Sequence, residues 1–207
     1  MYSKLPNLVI GFHGCDITTY ERVLYQHKPL RASTNPYDWL GHGVYFWENN
    51  YQRALEWAEE QVAKGKYTTP KVIGAVIDLG HCLNLTDSAF VPLLKQAYEI
   101  TKIYFESAGD ILPKNKGGSD LLVRDLDCAV IEQLHNYIET VNMLNRAREH
   151  TIINSFDSVR GVFIEGKEVY PNSGFREKTH IQICIRNYDC IKGYFDPITE
   201  TRGYSIP

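Results

Sequence analysis

The sequence predicts an α+β protein built on a mixed, mainly antiparallel sheet. Three observations lead there. Strand-like and helix-like segments follow one another without the regular strand–helix–strand rhythm of a doubly wound parallel sheet, and no Gly-x-Gly-x-x-Gly run follows a strand. His180 to Arg186 alternates strictly: Ile181, Ile183 and Ile185 face one way, Gln182, Cys184 and Arg186 the other. Two short apolar segments carry glycine turns, at Phe12-His13-Gly14 and at Gly41-His42-Gly43-Val44-Tyr45-Phe46.

The elements follow in order. Asn7 to Phe12 is β-branched and apolar, a buried strand. Asp16 offers an N-cap to a helix over Ile17 to Gln26, which Pro29 stops. Leu30 to Ser33 reads as a short edge strand, and Thr34 to Asp38 is turn chemistry. Gly43 to Trp47 is the next strand. From Asn50 a helix places Ala54, Trp57, Ala58, Gln61 and Val62 at helical spacing, and Gly65 closes it. Lys71 to Leu85 is a near-continuous apolar run, hence a central strand.

Residues 87–149 then read as a helical block inserted into a single domain spanning 1–207. Asp87-Ser88 starts a helix with Val91, Leu94, Ala97, Tyr98 and Ile100. Ser107 to Ser119 is a glycine-bearing surface loop. A long helix carries Leu122, Leu126, Val130, Leu134, Ile138 and Val141 on one stripe. A separate helical partner-binding module is the alternative. Strands return at Gly161 to Ile164, His180 to Arg186 and Ile191 to Phe195, with a polar loop from Glu165 to Lys178.

A chain of 207 residues can bury a proper core in one domain, and 43% hydrophobic with 23% charged residues is ordinary for a globular protein. The net charge of -3 supplies no general attraction to nucleic acid. Cys15, Cys82, Cys128, Cys184 and Cys190 are odd in number and widely spaced, without Cys-x-x-Cys. They read as reduced, mostly buried thiols, not as a disulfide framework or zinc site. No metal is expected. Without a signal peptide or a membrane-spanning run, a cytoplasmic protein is expected. His42 reads as surface or pocket rim, His81, His135 and His150 as solvated or helix-surface residues, and Glu59-Glu60 as a solvated helix face.

The two glycine segments each offer a ring group, an imidazole and a phenol, beside backbone without a Cβ. Such a pair suits a flat, amide-bearing ligand such as nicotinamide, and equally two ordinary core strands. The ordered set Phe12-His13-Gly14, Leu30-Arg31-Ala32, Gly41 to Phe46, the helix with Tyr51, Ala54 and Trp57, and the strand His180 to Arg186 resembles the ADP-ribosyltransferase superfamily. The resemblance is to its His-Tyr-Glu branch, that of diphtheria toxin and the poly-ADP-ribose polymerases, and to bacterial toxin-type members. It covers roughly residues 8–85 and 160–187.

The resemblance implies a split sheet of that type and an NAD-dependent mono-ADP-ribosyltransferase acting on a macromolecule, in a toxin or phage-defence role. His13 would bond a ribose hydroxyl of NAD, and Gly14 backbone would pair with the nicotinamide carboxamide. Tyr45 would stack on the nicotinamide, with Trp57 as second wall. Arg31 would face the diphosphate, and Ser33 belongs to the same NAD-binding set. Gln182 stands where the branch carries Glu, so Glu177, or Glu168 further back, is the candidate carboxylate. Arg146, Arg148, Arg160, Arg176 and Arg186 tilt the acceptor toward nucleic acid over protein, and an antitoxin protein is a possible partner. The alternatives are a catalytically silent NAD or ADP-ribose binding module and an NAD-dependent RNA 2′-phosphotransferase.

Overall fold

The computed structural model describes residues 8–118 and 120–198. Their chain is α+β. Strands β1 (Val9–Asp16), β2 (Val44–Glu48), β3 (Pro70–Ile77), β4 (Cys82–Asn84), β5 (Ser158–Phe163), β6 (His180–Ile185) and β7 (Ile191–Phe195) form one mixed sheet in the order β4-β5-β6-β2-β1-β3-β7. Every neighbouring pair is antiparallel except β4 and β5. Helices α1 (Ile17–Leu24), α2 (Tyr51–Ala63), α3 (Val91–Ala108) and α4 (Asp125–Ala147) cover it.

Residues two apart on a strand share a face. Tyr45 and Trp47 therefore mark one face of β2. Trp47 packs with α2 through Ala54, Leu55 and Trp57, and Tyr45 packs with α4 through Val130, Ile131 and Leu134. Val44 and Phe46 mark the other face, under Tyr20 and Val23 of α1. Among the described residues no helix is long and apolar enough to cross a membrane. All five thiols are free and buried, and burial pushes Cys15 and Cys128 up to about 12.

Several elements differ from expectation. The first strand runs on to Asp16, and its start at Asn7 lies outside the described residues. Asp16 does not cap α1 with its side chain. Its carboxylate accepts from Thr68 N at 2.7 Å and Thr69 N at 2.9 Å, tying the loop before β3. Those bonds, working against a smaller cost of burial, hold it far below the usual carboxylate range. Helix α1 ends at Leu24, before Gln26. Leu30 to Ser33 makes only one bridge, Ser33 to Gly43.

The run Lys71 to Leu85 is two strands on distant parts of the sheet. Gly80 takes a left-handed turn (φ 58) while Asp78 accepts from Gly80 N and Asp157 from His81 N. β4 then pairs with β5. Helix α3 continues to Ala108, where Gly109 ends it (φ 73). Helix α4 begins at Asp125, so Leu122 precedes it and is exposed. The strand expected at Gly161 to Ile164 occupies Ser158–Phe163.

Candidate functional site

The middle of the sheet carries a seam. β1 and β2 pair only at Gly11 with Glu48 and Phe12 with Trp47 among the described residues. Beyond that the strands part. His13 Nδ1 lies 2.8 Å from the Tyr45 carbonyl oxygen. A carbonyl only accepts, so Nδ1 carries the hydrogen and Nε2 carries the lone pair. Burial lowers the His13 pKa against the pull of that bond, with Arg22 adding repulsion, so the ring is neutral. Further along the seam Ser33 N donates to Gly43 O (2.7 Å) and Gly43 N to Ser33 O (3.1 Å). His13 and Ser33 thus bond along the same stretch of chain, at the Tyr45 carbonyl and at Gly43.

The glycines of the second motif have structural work. Gly41 has φ 80, and a Cβ on Gly43 would sit 2.5 Å from Ile185 O. The Tyr45 hydroxyl accepts from Leu40 N (3.0 Å) and donates to Gly41 O (2.8 Å), fastening the loop that precedes its own strand. Burial pushes that phenol well above its ordinary pKa. Gly14 lies in the ladder opposite Val72, and a Cβ there would overlap the Ala54 carbonyl oxygen. The sheet face that a side chain at position 14 would occupy is therefore filled by α2.

Gln182 stands opposite Trp47 on β2 and Gly161 on β5. Its Oε1 accepts from Trp39 Nε1 at 2.6 Å, and Gly161 makes room for that indole. Tyr45 shares this face one row away, opposite Cys184. The expected sandwich of Tyr45 with Trp57 is not made. Trp57 stands against Trp47 (5.7 Å between ring centroids) and Tyr67 (5.8 Å).

Residues that sequence reasoning missed gather beside Gln182. Arg53 of α2, 5% exposed, gives Nη2 to both Glu165 oxygens at 3.1 Å. Its Nη1 is 3.7 Å from Glu60 and 3.8 Å from Glu56, without a hydrogen bond. His180 bonds Lys178 O through Nδ1 (2.6 Å) and stacks on Phe163 at 5.6 Å. Its pKa is lowered by burial and then by Arg53, against the pull of the Lys178 carbonyl. Trp47 Nε1, Arg53 Nε and His180 Nε2 are buried without partners among the described residues. A period-two reading from Tyr45 and Gln182 would have found Trp47 and His180. Nothing near Arg53 in sequence announces Glu165.

The remaining candidates disperse. Arg31 is exposed in a groove with Arg22 and Lys28 on the α1 side. Glu177 is exposed, and Glu168 accepts from Asn172 N while facing Arg176 at 3.8 Å. Three of the five arginines are paired: Arg160 with Glu48, Arg176 with Glu168 and Arg186 with Glu132. Arg146 and Arg148 stand exposed at the far end of α4, so the five do not form one basic surface. His135 is buried at 4% exposure under Phe156, not on the helix surface. Burial pushes the Glu60 carboxyl up, and Lys178 at 2.7 Å together with Arg53 and Lys64 brings it below its ordinary pKa. His42 is half-buried and contacts Glu132 at 3.4 Å. Among the described residues no group of three or more His, Cys, Asp or Glu could hold a metal ion.

Comparison with family models, with curated proteins and with solved structures finds no match to this chain.

Three neutral histidines set a pH response. His13, His135 and His180 all bind a proton less readily folded than unfolded. Their contribution to stability is complete above the ordinary value of 6.5 and is lost as pH falls through the interval below it. For His135, lowered by burial to about 4, the loss between pH 7 and pH 5 is about 2 kcal/mol. Urea unfolding at both pH values should show this loss, and His135→Gln should remove that part of it. An unchanged slope in the variant contradicts the assignment.

Proposed function

We propose that the chain is an ADP-ribosyltransferase of the His-Tyr-Glu type, with a sheet of that superfamily's split form, moving one ADP-ribose unit from NAD to a macromolecule. One observation carries the reading. β1, β2 and β6 are consecutive neighbours in the sheet, which brings His13, Tyr45 and Gln182 onto adjacent strands although the chain separates them widely: His13 lies on the Phe46 face and bonds the Tyr45 carbonyl, and Tyr45 and Gln182 share the opposite face. The fixed tautomer of His13 leaves an acceptor nitrogen suited to a ribose hydroxyl.

The chemistry follows from these groups. The bond between ribose C1′ and the nicotinamide nitrogen breaks, and its electron pair neutralises the pyridinium. The ribose gains oxocarbenium character, which a hydrogen-bonded ribose hydroxyl helps to stabilise. Gln182 cannot remove a proton from the nucleophile; a carboxylate such as Glu177, on the polar loop from Glu165 to Lys178, can. Single transfers fit this better than chain growth. The acceptor class is open to both protein and nucleic acid once three arginines are paired.

The test is nicotinamide release from NAD by the purified protein. His13→Ala and Gln182→Ala should each lower the rate about 100-fold, in the range of lost transition-state hydrogen bonds. Tyr45→Ala should lower it as well. Release unchanged in all three ends the proposal. The bond from Trp39 to Gln182 favours a second reading, a silent NAD or ADP-ribose binding module. Calorimetric NAD binding without any release would select it.

A further inference from the structure

Among the described residues one side chain bonds Gln182, and it is Trp39, whose Nε1–H lies 2.6 Å from Gln182 Oε1. An indole N–H only donates. The amide therefore cannot be turned end for end: its oxygen faces Trp39 and its NH2 group faces away. Gln182 is half-buried, and that NH2 group makes no hydrogen bond among the described residues. Two donors are thus left for an incoming group. A free glutamine side chain samples many rotamers, and holding one of them in advance removes that cost from the reaction.

The indole is itself held. Its ring centroid is 5.2 Å from that of Phe163. Gly161, opposite Gln182 in the ladder, leaves it room, since a Cβ there would sit 2.7 Å from Trp39 Cη2. The next residue, Leu40, gives its N–H to the Tyr45 hydroxyl at 3.0 Å, which ties the loop to β2. Over the two rings stands Arg124, its guanidinium carbon 4.9 Å from the centre of Phe163 and 5.9 Å from that of Trp39. A cation there is drawn to the ring faces. Arg124 immediately precedes α4 and bonds Asp127 in its first turn at 3.0 Å. Contact thus runs from the helical insertion through Arg124 and Trp39 to the Gln182 amide.

We propose that Trp39 is a positioning residue for Gln182, braced by Arg124 of the insertion: the indole decides which end of the amide meets the ligand and keeps it there. The end on offer is the donor end, which suits an acceptor atom such as a ribose hydroxyl oxygen. This role rests on the transferase reading, in which Gln182 touches NAD and Trp39 does not.

Nicotinamide release by the full chain, with kcat and KM measured separately, tests it. Trp39→Phe keeps a flat apolar ring and removes the N–H; it should lower kcat about tenfold, the worth of one hydrogen bond, with KM nearly unchanged. In a Gln182→Ala background the same substitution should cost nothing further, because the group it acts through is gone. Losses that multiply in the double variant overturn the role and leave Trp39 as packing. Should Trp39→Phe fail to fold, Arg124→Met carries the test. It should lower kcat about threefold, as expected for one cation over aromatic rings, and move the Trp39 indole N–H resonance. An unchanged kcat with an unmoved resonance overturns the role. Release by the natural chain with multiplying losses removes Trp39 alone and spares the transferase reading. A natural chain that releases no nicotinamide removes both.

Discussion

Gly14→Ala is expected to destabilise the fold by about 3 kcal/mol, at the upper end of overpacking costs. The added methyl would overlap the Ala54 carbonyl oxygen and lie 3.1 Å from its carbon and 3.4 Å from Ala58 Cβ. Ala54 and Ala58 are themselves fully buried. Neither partner yields easily. β1 is fixed along Val9 to Asp16 by β3, and α2 is fixed by its own backbone bonds and by the packing of Trp47, Leu55 and Trp57. For a chain of this size the loss corresponds to roughly 6–12 °C in Tm. Gly193→Ala is the control, because nothing lies within 4 Å of the position its methyl would take. Equal losses in the two variants, read by thermal or urea unfolding, would remove the close approach as the reason for Gly14.

Arg53→Met should cost about 3–5 kcal/mol, the range for stripping one partner from a buried ion pair. The guanidinium is the only cation bonded to Glu165 among the described residues, and it also faces Glu56 and Glu60. Methionine keeps the length of the side chain and removes the charge, leaving Glu165 half-buried beside neutral His180. Adding Glu165→Gln should restore a large part of the loss, since the orphaned charge is then gone. A double variant no more stable than Arg53→Met would show that the arginine acts through packing alone.

Much of the fold was legible in local pattern. The alternation of His180 to Arg186 gave β6 almost to the residue. Asn50 announced α2, and its side chain does accept from Arg53 N at 3.0 Å. The break after Ile77 was hidden because Leu79, Cys82 and Leu83 continue the apolar run. What turns the chain is Gly80 together with a carboxylate, Asp157, far away in sequence. The burial of His135 has no local sign in the sequence because it is set by tertiary packing on Phe156.

The site was legible only where period and glycine chemistry act locally. His13, Tyr45 and Gln182 were placed on strands that prove to be neighbours. The purpose of the glycines was read from a ligand, whereas Gly14 and Gly43 answer first to α2 and β6. Trp39 over Gln182, and Glu165 on Arg53, are partnerships across long stretches of chain that no spacing rule encodes.

The parting of β1 from β2 has a mechanical meaning. Two rungs, at Gly11 and Phe12, couple a β4-β5-β6-β2 raft to a β1-β3-β7 raft that are each zipped more extensively within themselves. A force or a wedge entering beside His13 would meet its least resistance along this line.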